Sequence, residues 1–242
     1  TAVAKPVAKK AIDDALKAKE AQLDARNDLT TEEKEAAKAD AQARATAAKN
    51  NIDTATTNST VDNAKTTGVA DVESVNPQAS QKKTDAKNAV DEALKAKEAE
   101  IDANNDLTAE EKSKAKEDAK SKADVAKQAI DNATTNDAVT QAKNAGATSV
   151  DSVTPTPVAK PAAKQAIDDA LKAKNDAIDS NNDLTAEEKA KAKEDAKAKA
   201  DAAKQAIDNA TTNDAVTQAK NAGATSVDSV TPTPTAKPAA KQ

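Results

Sequence analysis

Apolar residues return along this chain at steps of three and four. From Ala8 they continue at Ile12, Ala15, Leu16 and Leu23, and the pattern recurs as Ala86, Val90, Ala93, Leu94 and Ile101, then as Ala163, Ile167, Ala170, Leu171 and Ile178. This spacing draws one face of an α-helix. Residues Thr1 to Lys5 read as a linker, and Pro6 suits the first helical position ahead of Val7. The predicted helix spans roughly 20 residues, about 30 Å at 1.5 Å per residue. It ends at Asn27-Asp28, Asn104-Asn105-Asp106 and Asn181-Asn182-Asp183.

A second apolar stripe follows each of these breaks. In the third copy it runs Ala192, Ala196, Ala200, Ala203, Ile207 and Ala210, which predicts a longer helix of about 25 residues, roughly 37 Å. Its opposite face carries Glu187, Lys191, Asp195 and Lys199, alternating in sign every four residues; the second copy has Glu110, Lys114, Asp118 and Lys122. In the first copy Ala36 interrupts the series of Glu32, Asp40 and Arg44. The stripe reads as a solvated helix face laced with weak ion pairs.

The stretch that opens the long helix is the most regular in the chain. Asn182-Asp183-Leu184-Thr185-Ala186-Glu187-Glu188-Lys189 recurs as Asn105 to Lys112, and as Asn27 to Lys34 with Thr31 in place of alanine. Thr185 with Glu188, Thr108 with Glu111, and Thr30 with Glu33 have the spacing of a capping box, in which threonine and glutamate each satisfy the other's backbone N–H. The acidic pair also places negative charge in the first turn, where the helix dipole favours it. Leu29, Leu107 and Leu184 are expected to plug the end of a bundle at this corner.

A third, shorter helix of about 10 residues is predicted after Thr211-Thr212-Asn213, with Val216 and Ala219 inward. Gly68, Gly146 and Gly223, the three glycines of the chain, fall where a C′ glycine would end it in a left-handed conformation. The pairs Val72 and Val75, Val150 and Val153, and Val227 and Val230 then suggest a short turn packed on the bundle end. The Thr-Pro runs that follow suggest a stiff extended connector.

Thr30, Thr108 and Thr185 hold the same position in three successive copies, the second interval one residue shorter than the first. Recurrence at a near-constant interval marks a tandem array. The expected fold is all-α, a tandem array of three-helix bundles forming an elongated rod. The domains read as residues 1–79, 80–157 and 158–234, with 235–242 opening a fourth, truncated repeat. The separation from the first-helix Ile or Val to the glycine is identical in every copy, Ile12 to Gly68, Val90 to Gly146 and Ile167 to Gly223. The bundle is therefore fixed in length and the connector varies. Asn105 to Pro157 and Asn182 to Pro234 differ only at Ser113/Ala190, Ser121/Ala198 and Val125/Ala202.

Composition thins the expected core without abolishing it. Of the apolar residues, 61 are alanine and only 29 are Leu, Ile or Val, with no aromatic, Met or Cys. The near balance of 36 basic and 41 acidic residues, net −5, argues against a charge-extended disordered chain. The absence of Cys removes disulfides and thiolate metal sites. The absence of His removes the commonest general base and metal ligand. No catalytic, cofactor-binding or metal-binding residue is identified, and no enzymatic activity or cofactor is expected. Net negative charge without a basic patch argues against nucleic acid. Nothing reads as a membrane span or signal peptide. Without an initiator Met, the chain reads as a piece of a longer protein. Asn58-Ser59-Thr60, Asn132-Ala133-Thr134 and Asn209-Ala210-Thr211 match a glycosylation sequon but are read as helix-cap chemistry.

The residues that carry the repeat are Ile12, Leu29 to Lys34, Ile52, Val61 and Gly68, with their counterparts. The pattern resembles the domain of unknown function (DUF) 1542 helical repeats of giant Gram-positive cell-wall-anchored surface adhesins, the extracellular matrix-binding protein homologue type. The resemblance covers almost the whole chain. After the glycine the family favours a larger aliphatic, which Val69 supplies and Ala147 and Ala224 do not.

The resemblance implies a secreted, cell-wall-anchored location, with anchor and signal outside this stretch, and a stalk that projects a distal adhesive region. The expected partners are neighbouring repeats of the same chain, with a host extracellular matrix protein engaged through other regions; the chain itself is expected to be a monomer. The alternative is that the repeats themselves bind a host matrix or serum protein, or self-associate between cells. An odd number of helices favours the stalk, because an up-down-up bundle takes the chain in at one end and releases it at the other. Three such units would make a rod on the order of 120 Å long.

Overall fold

A computed structural model describes residues 2–235. Among them are nine α-helices and no strand. These are α1 (Ala4–Asp24), α2 (Thr31–Thr54), α3 (Asn58–Glu73), α4 (Gln81–Ala103), α5 (Ala109–Asn132), α6 (Asn136–Asp151), α7 (Ala159–Ser180), α8 (Ala186–Asn209) and α9 (Asn213–Asp228). Two compact units are present. One is Thr1–Leu94 with Lys122–Val150; the other is Lys95–Ser121 with Asp151–Gln242.

In the first unit, α1, α2 and α3 pack pairwise into a bundle. Its core has two ends. Ala8, Ile12, Ala48, Ile52, Val61 and Val72 fill one cluster; Leu23, Ala37, Ala41 and Val75 fill the other, and Leu16 packs against both. Alanines supply most of the α2 face: Ala37, Ala41, Ala45 and Ala48 are all buried. Small side chains bring helices close, so each large aliphatic from α1 or α3 meets backbone as well as methyl groups, and dispersion contacts stay dense without aromatics. In the second unit, α7, α8 and α9 repeat this bundle, with Ile167, Ile207, Val216 and Val227 in one cluster and Ile178, Leu184, Ala196 and Val230 in the other.

The helices α4 to α6 are shared between the units, and ion pairs link them in each. In the first, Lys127 of α5 holds Asp91 of α4 at 2.8 Å. In the second, Lys97 of α4 reaches Glu100 at 2.7 Å and Asp151, at the end of α6, at 3.5 Å.

The third helix corrects the sequence reading. It is 16 residues long in each repeat, about 24 Å, and it runs straight through the glycine. No described glycine has positive φ, so none is a left-handed cap. The glycine is there for proximity. A Cβ on Gly68 would collide with the Ala48 methyl and stand 2.9 Å from Cδ1 of Ile12. Gly146 faces Ala126, and Gly223 faces Ala203, in the same way. The constant separation along the chain therefore links two residues that touch, Ile12 to Gly68 and Ile167 to Gly223. The expected turn after the glycine is helix instead, and Val72, Val150 and Val227 are buried on it. The first helix also starts earlier than expected, at Ala4, which puts Pro6 inside the first turn; there its missing N–H leaves no bond unmade.

Candidate functional site: the joint between repeats

The bundle's two ends differ. In the first repeat, Lys5 at the start of α1 donates to the Asp53 carbonyl at the end of α2, 2.7 Å away. At the opposite end Val75 packs with Leu23, and Arg26 donates to the Pro77 carbonyl at 3.2 Å. The chain therefore enters beside the α2–α3 turn and leaves beside the α1–α2 corner. The corner is where the next repeat sits.

The corner is built as the sequence predicts. Thr30 accepts from the Glu33 N–H, and Glu33 accepts from the Thr30 N–H at 2.9 Å; Thr185 and Glu188 close the same box. Thr108 and Glu111 repeat both bonds, at 3.3 and 2.9 Å. Leu29, Leu107 and Leu184 are buried beneath it. The closing lysine has a role too. Lys34, Lys112 and Lys189 each donate to a carbonyl at the end of the preceding helix, Asp24, Asp102 and Asp179, where the dipole favours a cation.

The remaining groups of the corner serve the neighbouring repeat. In the first unit, the Thr31 N–H and hydroxyl both donate to the Thr134 carbonyl, at 2.7 and 3.0 Å. Glu32 accepts from the Asn136 N–H, the first residue of α6, at 3.0 Å. Glu33 has one oxygen on Thr30 and the other on the Ser80 hydroxyl, 2.9 Å away. Ser80 also donates its N–H to the Asp28 carbonyl at 3.1 Å and accepts from the Lys83 N–H at 3.2 Å, so it caps α4 while seated on the corner. Lys83, only 5% exposed, bridges the Asn27 carbonyl of the corner and the Asp131 carbonyl ending α5, at 3.2 and 2.8 Å.

The second unit contains the same joint. Ala109 N–H donates to Thr211 O at 2.8 Å, and Asn213 N–H donates to Glu110 at 3.0 Å. Lys160, 4% exposed, reaches Asn105 O at 2.7 Å and Asp208 O at 2.6 Å. One position differs. Val158 precedes α7 and offers no side-chain cap. Glu111 fills that role from across the joint, accepting from both the Val158 and Ala159 N–H groups at 2.9 and 3.0 Å. Glu188 likewise accepts from the Thr235 N–H and hydroxyl. The expected fourth unit beyond Thr235 lies outside the described residues.

The electrostatics follow from these bonds. Partial burial pushes Glu111 up, but the N–H groups of Thr108, Ala159 and Val158 outweigh it and hold the carboxyl below its ordinary value. Its own N–H, and next that of Asn136, lower Glu32 as well. A lysine in a first helical turn opposes the helix dipole. Lys83 and Lys160 tolerate that position because each ammonium lies against carbonyls at the end of an antiparallel neighbour. Such charge-assisted bonds are worth more than neutral ones, and burying the lysine without them would be costly.

Sequence reasoning identifies the capping boxes but assigns the whole acidic pair to its own helix. It places Glu32 and Glu110 on the solvated stripe, and the structure brings both into the joint. A signal is available: a capping box uses only the second glutamate, yet both recur in all three copies. The first-turn lysine at 5, 83 and 160 is a second signal. Thr57 and Thr212 cap α3 and α9, and Thr135 accepts from the Ala138 N–H at the start of α6, as Thr-Thr-Asn suggests. Among the described residues, no cluster of three or more His, Cys, Asp or Glu could hold a metal ion, and no helix is long and apolar enough to cross a membrane.

Bundles of three helices, joined corner to helix start by one recurring hydrogen-bond set, define a tandem helical-repeat protein. The chain belongs to the family described as Domain of Unknown Function (DUF1542), which matches residues 4–80, 82–158 and 159–235. It is 32% identical over 220 residues to the extracellular matrix-binding protein EbhA of Staphylococcus aureus strain Newman, covering 91% of this chain and 6% of that protein. It is equally similar to the extracellular matrix-binding protein ebh of strain NCTC 8325 / PS 47, with 2% of that protein covered. In strain MRSA252 the ebh protein is 33% identical over 218 residues, 90% of this chain and 2% of the relative. The chain thus spans a small fraction of the curated relatives it matches. No solved structure matches it.

Proposed function

We propose that this chain is a spacer segment of a bacterial surface adhesin, secreted and held at the cell wall of a Gram-positive organism, which projects a distal adhesive region outward. The observation that carries the reading is the joint. Each bundle releases the chain at the end opposite to where it enters, and the same hydrogen bonds seat the next repeat there in both units. A linear array built this way gains length by whole repeats, because each repeat meets only its neighbours. The reading assigns the chain no catalysis and no cofactor. The anchor, the export signal and the adhesive region belong to parts of the parent protein outside this sequence.

A second reading rests on the relatives, which are named extracellular matrix-binding proteins: the repeats themselves would take up a matrix or serum protein, or a second copy. Composition weighs against it. Interface hot spots favour Trp, Tyr and Arg, and this chain has no aromatic and only Arg26 and Arg44. Among the described residues its exposed large apolar side chains are Val3 and Val7, one turn apart at the start of α1, with Val125 and Val158 elsewhere, too few to form the broad patch that marks an interface. Surface plasmon resonance of the full chain against fibronectin, albumin and itself separates the two. The spacer reading expects no binding up to about 10 μM, a level that still detects weak complexes. Micromolar or tighter binding to any of them overturns it in favour of the second.

A further inference from the structure

The two glutamates of the corner meet two different helices of the next repeat. In the first unit, Glu32 accepts from Asn136 at the start of α6, and Glu33 holds the Ser80 cap of α4. In the second unit, Glu110 accepts from Asn213 at the start of α9, and Glu111 accepts from Val158 and Ala159 at the start of α7. Helices one and three of a repeat thus begin on the acidic pair of the repeat before. We infer that this pair is a coupling element, which supplies helix caps across the joint so that adjacent repeats stabilise one another and open together.

The chemistry is that of ordinary helix capping, moved between repeats. The first N–H groups of a helix lack partners within it, and a carboxylate there satisfies them and also meets the positive end of the dipole. Glu111 has two oxygens and divides them: Oε2 closes the box on Thr108, and Oε1 caps α7. One side chain is therefore shared by the starts of two helices in adjoining repeats. Lys160 fixes the register by joining the Asn105 carbonyl of one repeat to the Asp208 carbonyl of the next. What the corner recognises is a pair of helix starts together with a first-turn lysine, and only another such repeat presents that set. Coupling of this kind is reciprocal, so loosening either repeat loosens the other. The inference rests on joint geometry and holds whether or not the array is a spacer.

Glu110 offers the cleaner test, because it lies outside the capping box of its own helix. Amide hydrogen exchange on the full chain would compare wild type, Glu110→Ala and Glu110→Gln. In Glu110→Ala, the Asn213 amide and its neighbours in the first turn of α9 are expected to exchange roughly five- to ten-fold faster, the loss of about one helix cap. The amides of Ala119 and Ala123 in α5 stay unchanged. Gln keeps an acceptor oxygen without the charge, so it recovers most of the protection; a purely electrostatic effect on α5 would not be rescued.

A second comparison reads the coupling itself. Gly223→Val, which wedges α9 from α8 at Ala203, should speed exchange across residues 107–112 of the preceding repeat in the wild-type background. It should do so less in Glu110→Ala with Lys160→Ala. Unchanged exchange at Asn213, or an equal response to Gly223→Val in both backgrounds, would overturn the inference.

Discussion

Single residues set the closeness of this fold. Gly68 has an ordinary helical conformation, and its hydrogen in place of a methyl lets α3 lie against Ala48. Gly68→Ala should gain helix propensity yet still lose stability, by about 2 kcal/mol, the usual scale of overpacking a tight core. Gly68→Asn distinguishes this from a left-handed cap: asparagine tolerates that conformation but is larger, so it should be worse than alanine. Urea unfolding of the two variants reads the order, and asparagine milder than alanine would restore the capping role.

The joint glutamates give the chain an acid limit. Glu111 is held below its ordinary value in the folded state. A depressed carboxylate contributes stability that is fully present above the unfolded value, about 4.3, and that is lost as pH falls through the lower folded value. Melting temperature should therefore hold steady from pH 7 to about 5 and fall below that. Glu111→Gln should flatten the acid limb, and an unchanged limb in that variant would remove Glu111 from the account.

At the scale of elements, the long second helix is legible almost residue by residue. Ala192, Ala196, Ala200, Ala203, Ile207 and Ala210, predicted to face inward, are all buried, because period and cap signals agree there. Thr185→Ala should cost about 1 kcal/mol, the typical value of such a cap, measured by thermal melting; a neutral result would show that Glu188 alone starts α8. The third helix is misread for a physical reason. Glycine ends helices more often than it fills them, and nothing local reveals that Ala48, on a different helix, leaves no room for a side chain. The valines beyond the glycine keep helical spacing, three apart in each copy, and are the better guide. The connectors read as extended, and the structure gives them no regular secondary structure. What the sequence hides is that they deliver Ser80 and Val158 onto a prepared surface. A hydrogen bond between repeats, such as Asn136 to Glu32, joins residues far apart along the chain, beyond the range of any local signal.

For the whole molecule, the regular return of Thr30, Thr108 and Thr185 makes the array legible, while the joint has to be seen. The two joints agree in Lys83 and Lys160, Glu32 and Glu110, and Thr31 and Ala109. That agreement shows one joint geometry built twice, once within each unit. Each bundle spans about one long helix, 24 residues or roughly 36 Å, and the chain leaves each at the end opposite its start. The spacer reading therefore requires an extended particle in solution, and small-angle X-ray scattering of the full chain tests this most directly. A stack on the order of 110–120 Å has a radius of gyration of about 35 Å, and the account predicts a value near it. A value of about 18 Å, that of a compact globule of this length, would contradict it.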